Sequence, residues 1–252
     1  MKKFYGISVE SAEQLELLAA MTEFDVLELP GALLESADFK IPSASGNKKI
    51  VINNRDTLRF FRSLSSSGMG IKQEFFRLIS RRCKRAAELN AVSFSLFPDW
   101  ENFAAPGESR RELLEIMQMC CGIVQRNGLN LSVFVRLPGW IDGQWDMIRE
   151  FKKSLLYPVQ MAVDFHPHEP GALSGAEKYS DNFHFDSDFW RISFDAASGN
   201  YLSGSLCRKI FSLIRKSGAK IPVMIFAPGE KADRWSFSAI NDLLAESEEG
   251  QE

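Results

Sequence analysis

The sequence lacks any apolar run approaching the roughly 20 residues that a membrane-spanning helix needs. Met1-Lys2-Lys3 leads straight into a strand pattern rather than a signal peptide, so a cytoplasmic protein is the expectation. Charge of one sign is missing too: 30 basic residues against 33 acidic ones leave a net charge of -3, with no basic stripe for nucleic acid or an anionic membrane. Cysteine is limited to Cys83, Cys120, Cys121 and Cys207, whose spacing fits neither a zinc site nor a disulfide framework. They read as buried thiols in a reducing compartment. No strand pattern is followed by a glycine-rich dinucleotide fingerprint, and Ser174-Gly175 has no strand-elbow-helix context to make it a nucleophile. What remains as a partner is a small molecule, with no nucleic acid and no membrane.

What is present is a regular alternation of short strands and helices. FYGISVE (4–10) alternates apolar and polar residues, and the helix after it opens on a capping box formed by Ser11 and Gln14. Further strand patterns occupy 24–31, 48–54, 91–97, 131–139, 159–166, 190–196 and 221–229, separated by helical periodicity or by turns. Ser109 and Glu112 predict a second capping box, at the start of the helix that Gly128 closes. Residues 170–188 are rich in Gly, Ser and Asp and predict a long loop of the kind that covers a site. Eight strands alternating with helices in 252 residues match an α/β protein built as a single (β/α)8 TIM barrel over residues 1–252. An open doubly wound sheet is the alternative, and the acidic tail 246–252 is expected to be disordered.

In such a barrel the site lies at the C-terminal ends of the strands. Strand parity then brings together Ser8 and Glu10, Glu28, Asn53 or Asn54, Ser95 and Asp99, Arg136, Asp164 and His166, and Arg191 and Asp195. The richest stretch is VQMAVDFHPHEPG (159–171), where Gln160, Ala162, Asp164 and His166 share one face and Val159, Met161, Val163 and Phe165 the other. Asp164 and His166, about 6.5 Å apart along a strand, can reach one metal or one substrate, or Asp164 pairs with Arg136 while His166 caps a loop. All three histidines, His166, His168 and His184, fall in this strand or the loop after it. Trp100 and Trp140 follow strands four and five, where each either stacks on a sugar ring or packs. The glycine-bearing stretches 196–205 and 227–234 are either phosphate cradles or ordinary turns.

The chain resembles the xylose isomerase-like TIM barrels, the broad group of sugar phosphate isomerases/epimerases. The resemblance rests on GIS (6–8), DVLELP (25–30), the helix FFRLISRRCKRAAELNA (75–91) running into strand four, and an Asp near a His at strand six. It implies a divalent metal (Mn, Zn or Mg) held by a Glu ending strand five, the strand-six Asp with its His, and a Glu ending strand eight, and it implies proton transfer between adjacent carbons of a sugar. Here Asp164 and His166 match as metal ligands, whereas Arg136 and Ala227 stand where the two glutamates belong. A cation at that place repels a divalent metal and can substitute for its charge. The expectation is a sugar isomerase/epimerase-like protein whose metal site has degraded. Glu28, Asp164, His166 and Asp195 are its catalytic candidates, and Glu10, Asn53, Asp99, Arg136, Arg191, Trp100 and Trp140 its candidate contacts to a sugar or sugar phosphate. A non-catalytic carbohydrate-binding barrel is the second reading.

Overall fold

Short apolar strands that end in polar residues close on themselves in this protein, in a computed structural model that describes residues 4–19, 21–64, 69–101, 107–137, 145–182, 187–195, 202–216 and 223–229, with 232, 240 and 242. The strands are β1 (Phe4–Ser8), β2 (Val26–Pro30), β3 (Lys49–Asn53), β4 (Ser93–Leu96), β5 (Asn130–Leu137), β6 (Gln160–Phe165), β7 (Ser187–Ser193) and β8 (Val223–Ala227). All pair in parallel and in sequence order, and β8 returns to β1, so the sheet is a closed barrel without edges. Among the described residues seven helices surround it: α1 (Ala12–Ala19), α2 (Leu58–Leu64), α3 (Met69–Glu88), α4 (Glu108–Arg126), α5 (Trp145–Ser154), α6 (Ala172–Asn182) and α7 (Gly204–Lys216). The chain is an α/β TIM barrel. No helix among the described residues is long and apolar enough to cross a membrane.

Strand parity decides which side chains fill the barrel and which face the helices. On β6, Met161, Val163 and Phe165 join Val159 in the core between barrel and helices, while Ala162 and Asp164 point inward. The interior is plugged by Val26, Val51, Phe134, Phe189 and Ile225, with Phe97 stacked on Phe134 at 4.2 Å between centroids and Phe189 edge-on to Phe134 at 5.4 Å. Each such buried side chain is worth roughly 1.5–3 kcal/mol over leaving it in water. Where β1 crosses β2, a Cβ on Gly6 would lie 2.9 Å from the Val26 Cβ, so the two strands meet through a residue without a side chain. Above this plug the inward positions turn polar, and that change of character defines the mouth.

Two local expectations hold and two do not. Gln14 donates its N–H to Ser11 Oγ at 3.2 Å, and its Oε1 accepts the N–H of Glu10 at 2.9 Å, which ties the end of β1 to α1. The four cysteines are buried free thiols: burial pushes Cys83 up to about 12, and Cys121 and Cys207 up to about 11. In contrast, α4 begins at Glu108 behind Gly107, whose positive φ of 97° makes the N-cap, and Glu112 pairs with Lys72 rather than closing a box with Ser109. Residues 172–182 form α6 and not a loop. The small residues Ala172, Ala176 and Ser180 let this helix lie close to the barrel, with Tyr179 edge-on to Trp190 at 5.9 Å, so a composition that looks like a loop carries a buried helical face. The tail 246–252 lies outside the described residues.

Candidate functional site

Parallel register places Arg136, Asp164 and Arg191 side by side on β5, β6 and β7, all on the inner face. Asp164 therefore has an arginine on each flank, and it takes the one on β7. Arg191 Nη1 donates to Asp164 Oδ1 at 3.1 Å, its Nε to Glu28 Oε2 at 2.8 Å, and its Nη2 to Glu10 Oε1 at 3.3 Å. Ser193, two residues further along the same face, accepts from Arg191 and donates to Asp164 Oδ1 at 2.6 Å. Glu28, Asp164 and Arg191 are all buried, so one guanidinium is shared between two carboxylates out of water.

The electrostatic consequences follow from that geometry. Burial pushes the Asp164 carboxyl up, but the adjacent charge of Arg191 and the hydrogen bond and charge of His166, with a smaller contribution from Arg55, hold it well below the usual carboxylate range. For Arg191, burial works against the cation, and the charges of Glu28 and Asp164 more than reverse this, so its pKa is raised. Asp164 is thus a fixed anion and a weak base. Glu28 lies beneath Arg191, and its Oε1 is buried without a hydrogen-bond partner among the described residues.

From this buried pair a line of polar groups climbs to the rim. His166 Nε2 lies 3.1 Å from Asp164 Oδ2, its Nδ1 lies 3.6 Å from Glu169 Oε1, and Glu169 pairs with Arg136. Arg136 is more than half exposed and does not bond Asp164, which corrects the expected Arg136–Asp164 pair. Arg136 is exposed and turned to Glu169, whereas Arg191 is buried and reaches both Asp164 beside it and Glu28 across the barrel.

The mouth opens as two adjoining cavities of about 320 and 310 Å³ that share Glu10, Arg55 and Arg191. His166, His168, Ser193, Asp195 and Gly229 line the first, and Ser8, Pro30, Asn53 and Asp56 the second. A separate network holds the rim on the second side. Arg82 of α3 donates to Asn54 Oδ1 at 3.0 Å and to both oxygens of Asp56 at 2.9 and 2.7 Å, and it also pairs with Glu35. Burial opposes the Arg82 charge, but hydrogen bonds and charges from Asp56 and Glu35 raise its pKa. Gly31 is required there, because a Cβ would lie 2.0 Å from Asn54 Oδ1.

With that geometry in place, comparison with solved structures is informative. A D-tagatose 3-epimerase-like protein superposes with a TM-score of 0.68 at 13% identity, covering 98% of this chain and 99% of its own. The D-psicose 3-epimerase from Clostridium cellulolyticum H10 gives 0.64 at 12%, covering 97% and 98%. A 3-keto-D-glucoside 4-epimerase from E. coli gives 0.62 at 13%, covering 97% and 100%. The chain has the fold of the xylose isomerase-like TIM barrels. No family profile matches the sequence, and no curated protein matches it.

The xylose isomerase-like fold raises the question of a divalent metal, and the described residues do not fit one. No group of three or more His, Cys, Asp or Glu among the described residues could hold an ion, and the Arg191 guanidinium already lies between Glu10, Glu28 and Asp164. Asp164 and His166, the two ligands that the resemblance implies, are hydrogen-bonded to each other.

The remaining candidates separate cleanly. Glu10, Asn53, His166, Arg191 and Asp195 line the cavities. Asp99 does not; it accepts the N–H of Glu101 at 3.2 Å and lies 4.0 Å from Arg62. Trp100 is buried between barrel and helices, donates Nε1 to the Phe134 carbonyl at 2.8 Å and packs edge-on to Phe151, so it offers the mouth no stacking face. Trp140 and His184 lie outside the described residues, as do 196–201 and 230, 231, 233 and 234 of the glycine-bearing stretches. Sequence reasoning passed over Arg55, Glu169 and Ser193. Arg55 lies two residues beyond the end of β3, and Ser193 has the parity of Arg191, so position alone could have found both.

Proposed function

We propose that the protein is a divergent sugar isomerase/epimerase-like enzyme that acts on a small sugar or sugar phosphate by proton transfer at the barrel mouth, with an internal arginine in place of a metal ion. The observation that carries this reading is the clustering of Glu10, His166 and Asp195 around one cleft at the C-terminal end of the barrel, on a fold whose solved neighbours include sugar epimerases. Asp164 fixes the His166 ring by a hydrogen bond at Nε2, leaving Nδ1 toward Glu169 and the cleft. That arrangement suits His166 to carry a proton, with Asp164 orienting it. Glu10 and Asp195 are among the carboxylates that line the cleft, and they take precedence over Glu28 and Asp164 as bases, since those two are buried and committed to Arg191.

The buried Glu28–Arg191–Asp164 group, committed to internal ion pairs, also favours the second reading, a barrel that binds a carbohydrate or related metabolite without turning it over. Incubation in deuterated water with a panel of ketoses, aldoses and their phosphates separates the two. Deuterium at a substrate carbon, abolished in His166→Ala, supports the enzyme; binding of a panel member without exchange supports the binding protein and sinks the enzyme.

A further inference from the structure

Among the described residues Arg55, Arg136 and Arg191 lie at the C-terminal end of the barrel, and two of them are occupied. Arg191 donates to Glu10, Glu28, Asp164 and Ser193, and Arg136 is paired with Glu169. Arg55 has no ion pair or side-chain hydrogen bond among the described residues. The carboxylate next to it in sequence, Asp56, is turned to Arg82. The backbone that carries Arg55 is nonetheless held firmly. Its N–H donates to Asn53 Oδ1 at 2.8 Å, Asn54 Nδ2 donates to the Ser95 carbonyl at 2.9 Å, and Thr57 closes the turn with Oγ1 2.6 Å from the Asn54 carbonyl. Such a residue loses little further backbone freedom on binding. Arg55 lines both cavities of the cleft, and His168, also without a side-chain partner among the described residues, lines the larger one.

We infer that Arg55 binds a terminal oxyanion of the ligand, a phosphate ester or a carboxylate on a small polyhydroxy molecule, with His168 as a second donor. A guanidinium presents two parallel N–H groups that match such an oxyanion. Of the carboxylates around it, Asp164 feels the Arg55 charge but is held by Arg191 and His166, Glu10 faces Arg191, and Glu169 faces Arg136. The inference rests on the sugar reading above and narrows it to acidic sugars. A cavity of about 320 Å³ is at the small end of ligand sites, which suits a molecule of that size.

Calorimetric titration of the full chain with D-fructose, D-fructose 6-phosphate, D-gluconate and inorganic phosphate at low ionic strength tests it. An anionic sugar is expected to bind at least about tenfold more tightly than D-fructose, with the preference shrinking as salt rises. Arg55→Ala should bring that preference close to one, Arg55→Lys should keep part of it, and Arg62→Ala, exposed and outside the cleft, should leave it intact. Whichever of the phosphate ester and the sugar acid binds tighter identifies the source of the oxyanion. Equal binding of D-fructose and both anionic sugars overturns the inference and leaves the sugar reading standing, as does a preference that survives Arg55→Ala. Binding of inorganic phosphate that depends on Arg55, with no sugar bound, supports the anion site and overturns the sugar reading. Failure of every probe to bind overturns both.

Discussion

Arg191 and Arg82 are both buried arginines held by carboxylates, but their partners sit in opposite settings. Two of the three carboxylates that hold Arg191, Glu28 and Asp164, are 0% and 2% exposed, with Glu10 at the cleft as the third, whereas Glu35 and Asp56, the partners of Arg82, are 44% and 35% exposed. In the mouth, both signs of charge have been taken out of water, and each is tolerable only while the other is present. Behind the β2 and β3 loops only the arginine is dry, and its partners keep a hydration shell to fall back on. The two sets of ion pairs therefore do different work. One builds the floor of the cleft, and the other ties Asn54, Asp56 and Glu35 so that the rim carrying Arg55 keeps its shape.

The largest expected effect comes from breaking the drier network. Arg191→Leu strands two buried carboxylates and should destabilise the fold by about 3–5 kcal/mol, read as a lower urea midpoint. Should Arg82→Leu cost as much as Arg191→Leu, the distinction between the two settings is wrong. For Arg82→Leu the expectation is about 2 kcal/mol, because Asp56 and Glu35 rehydrate while Asn54 loses a partner. Gly31→Ala sharpens the point without touching a charge. Its methyl collides with the Asn54 carboxamide, so a loss of about 1–2 kcal/mol is expected, and it should be non-additive with Arg82→Leu in a double-mutant cycle.

The smallest effect lies in neither network and serves as a control on pH. Cys83 has its folded-state pKa raised by burial to about 12, against about 8.5 in an unfolded chain. Its contribution is fully present below about pH 8.5 and is lost as pH rises from there toward the folded value, because the unfolded state releases the proton first. Near pH 9 the loss is about 0.8 kcal/mol for this thiol. Cys83→Ala should flatten the alkaline limb of a stability-against-pH curve while leaving the difference between the Arg191 and Arg82 variants unchanged.

Much of the fold was legible because its signal is local. Alternation on 159–166 separates inward from outward side chains by chain geometry alone, and Ser11 with Gln14 marks a helix start through bonds spanning four residues at most. α6 was not legible, since its Gly, Ser and Asp residues weaken the helical pattern, and its buried face exists only because a barrel lies beneath it. The same division runs through the site. Parity brought Glu10, Glu28, Asp164, His166, Arg191 and Asp195 to one end of the barrel, yet it could not assign partners among them.

By itself, then, the sequence determined an α/β barrel and the set of polar side chains at its mouth, because those depend on periodicity along the chain. Tertiary structure alone decided that Asp164 pairs with Arg191 rather than Arg136, and that Trp100 packs away from the cleft. It also decided that Arg55 makes no ion pair or side-chain hydrogen bond among the described residues. Two arginines flank Asp164 at the same register, and only the closed barrel sets which is turned to Glu169 and which reaches Asp164 and Glu28.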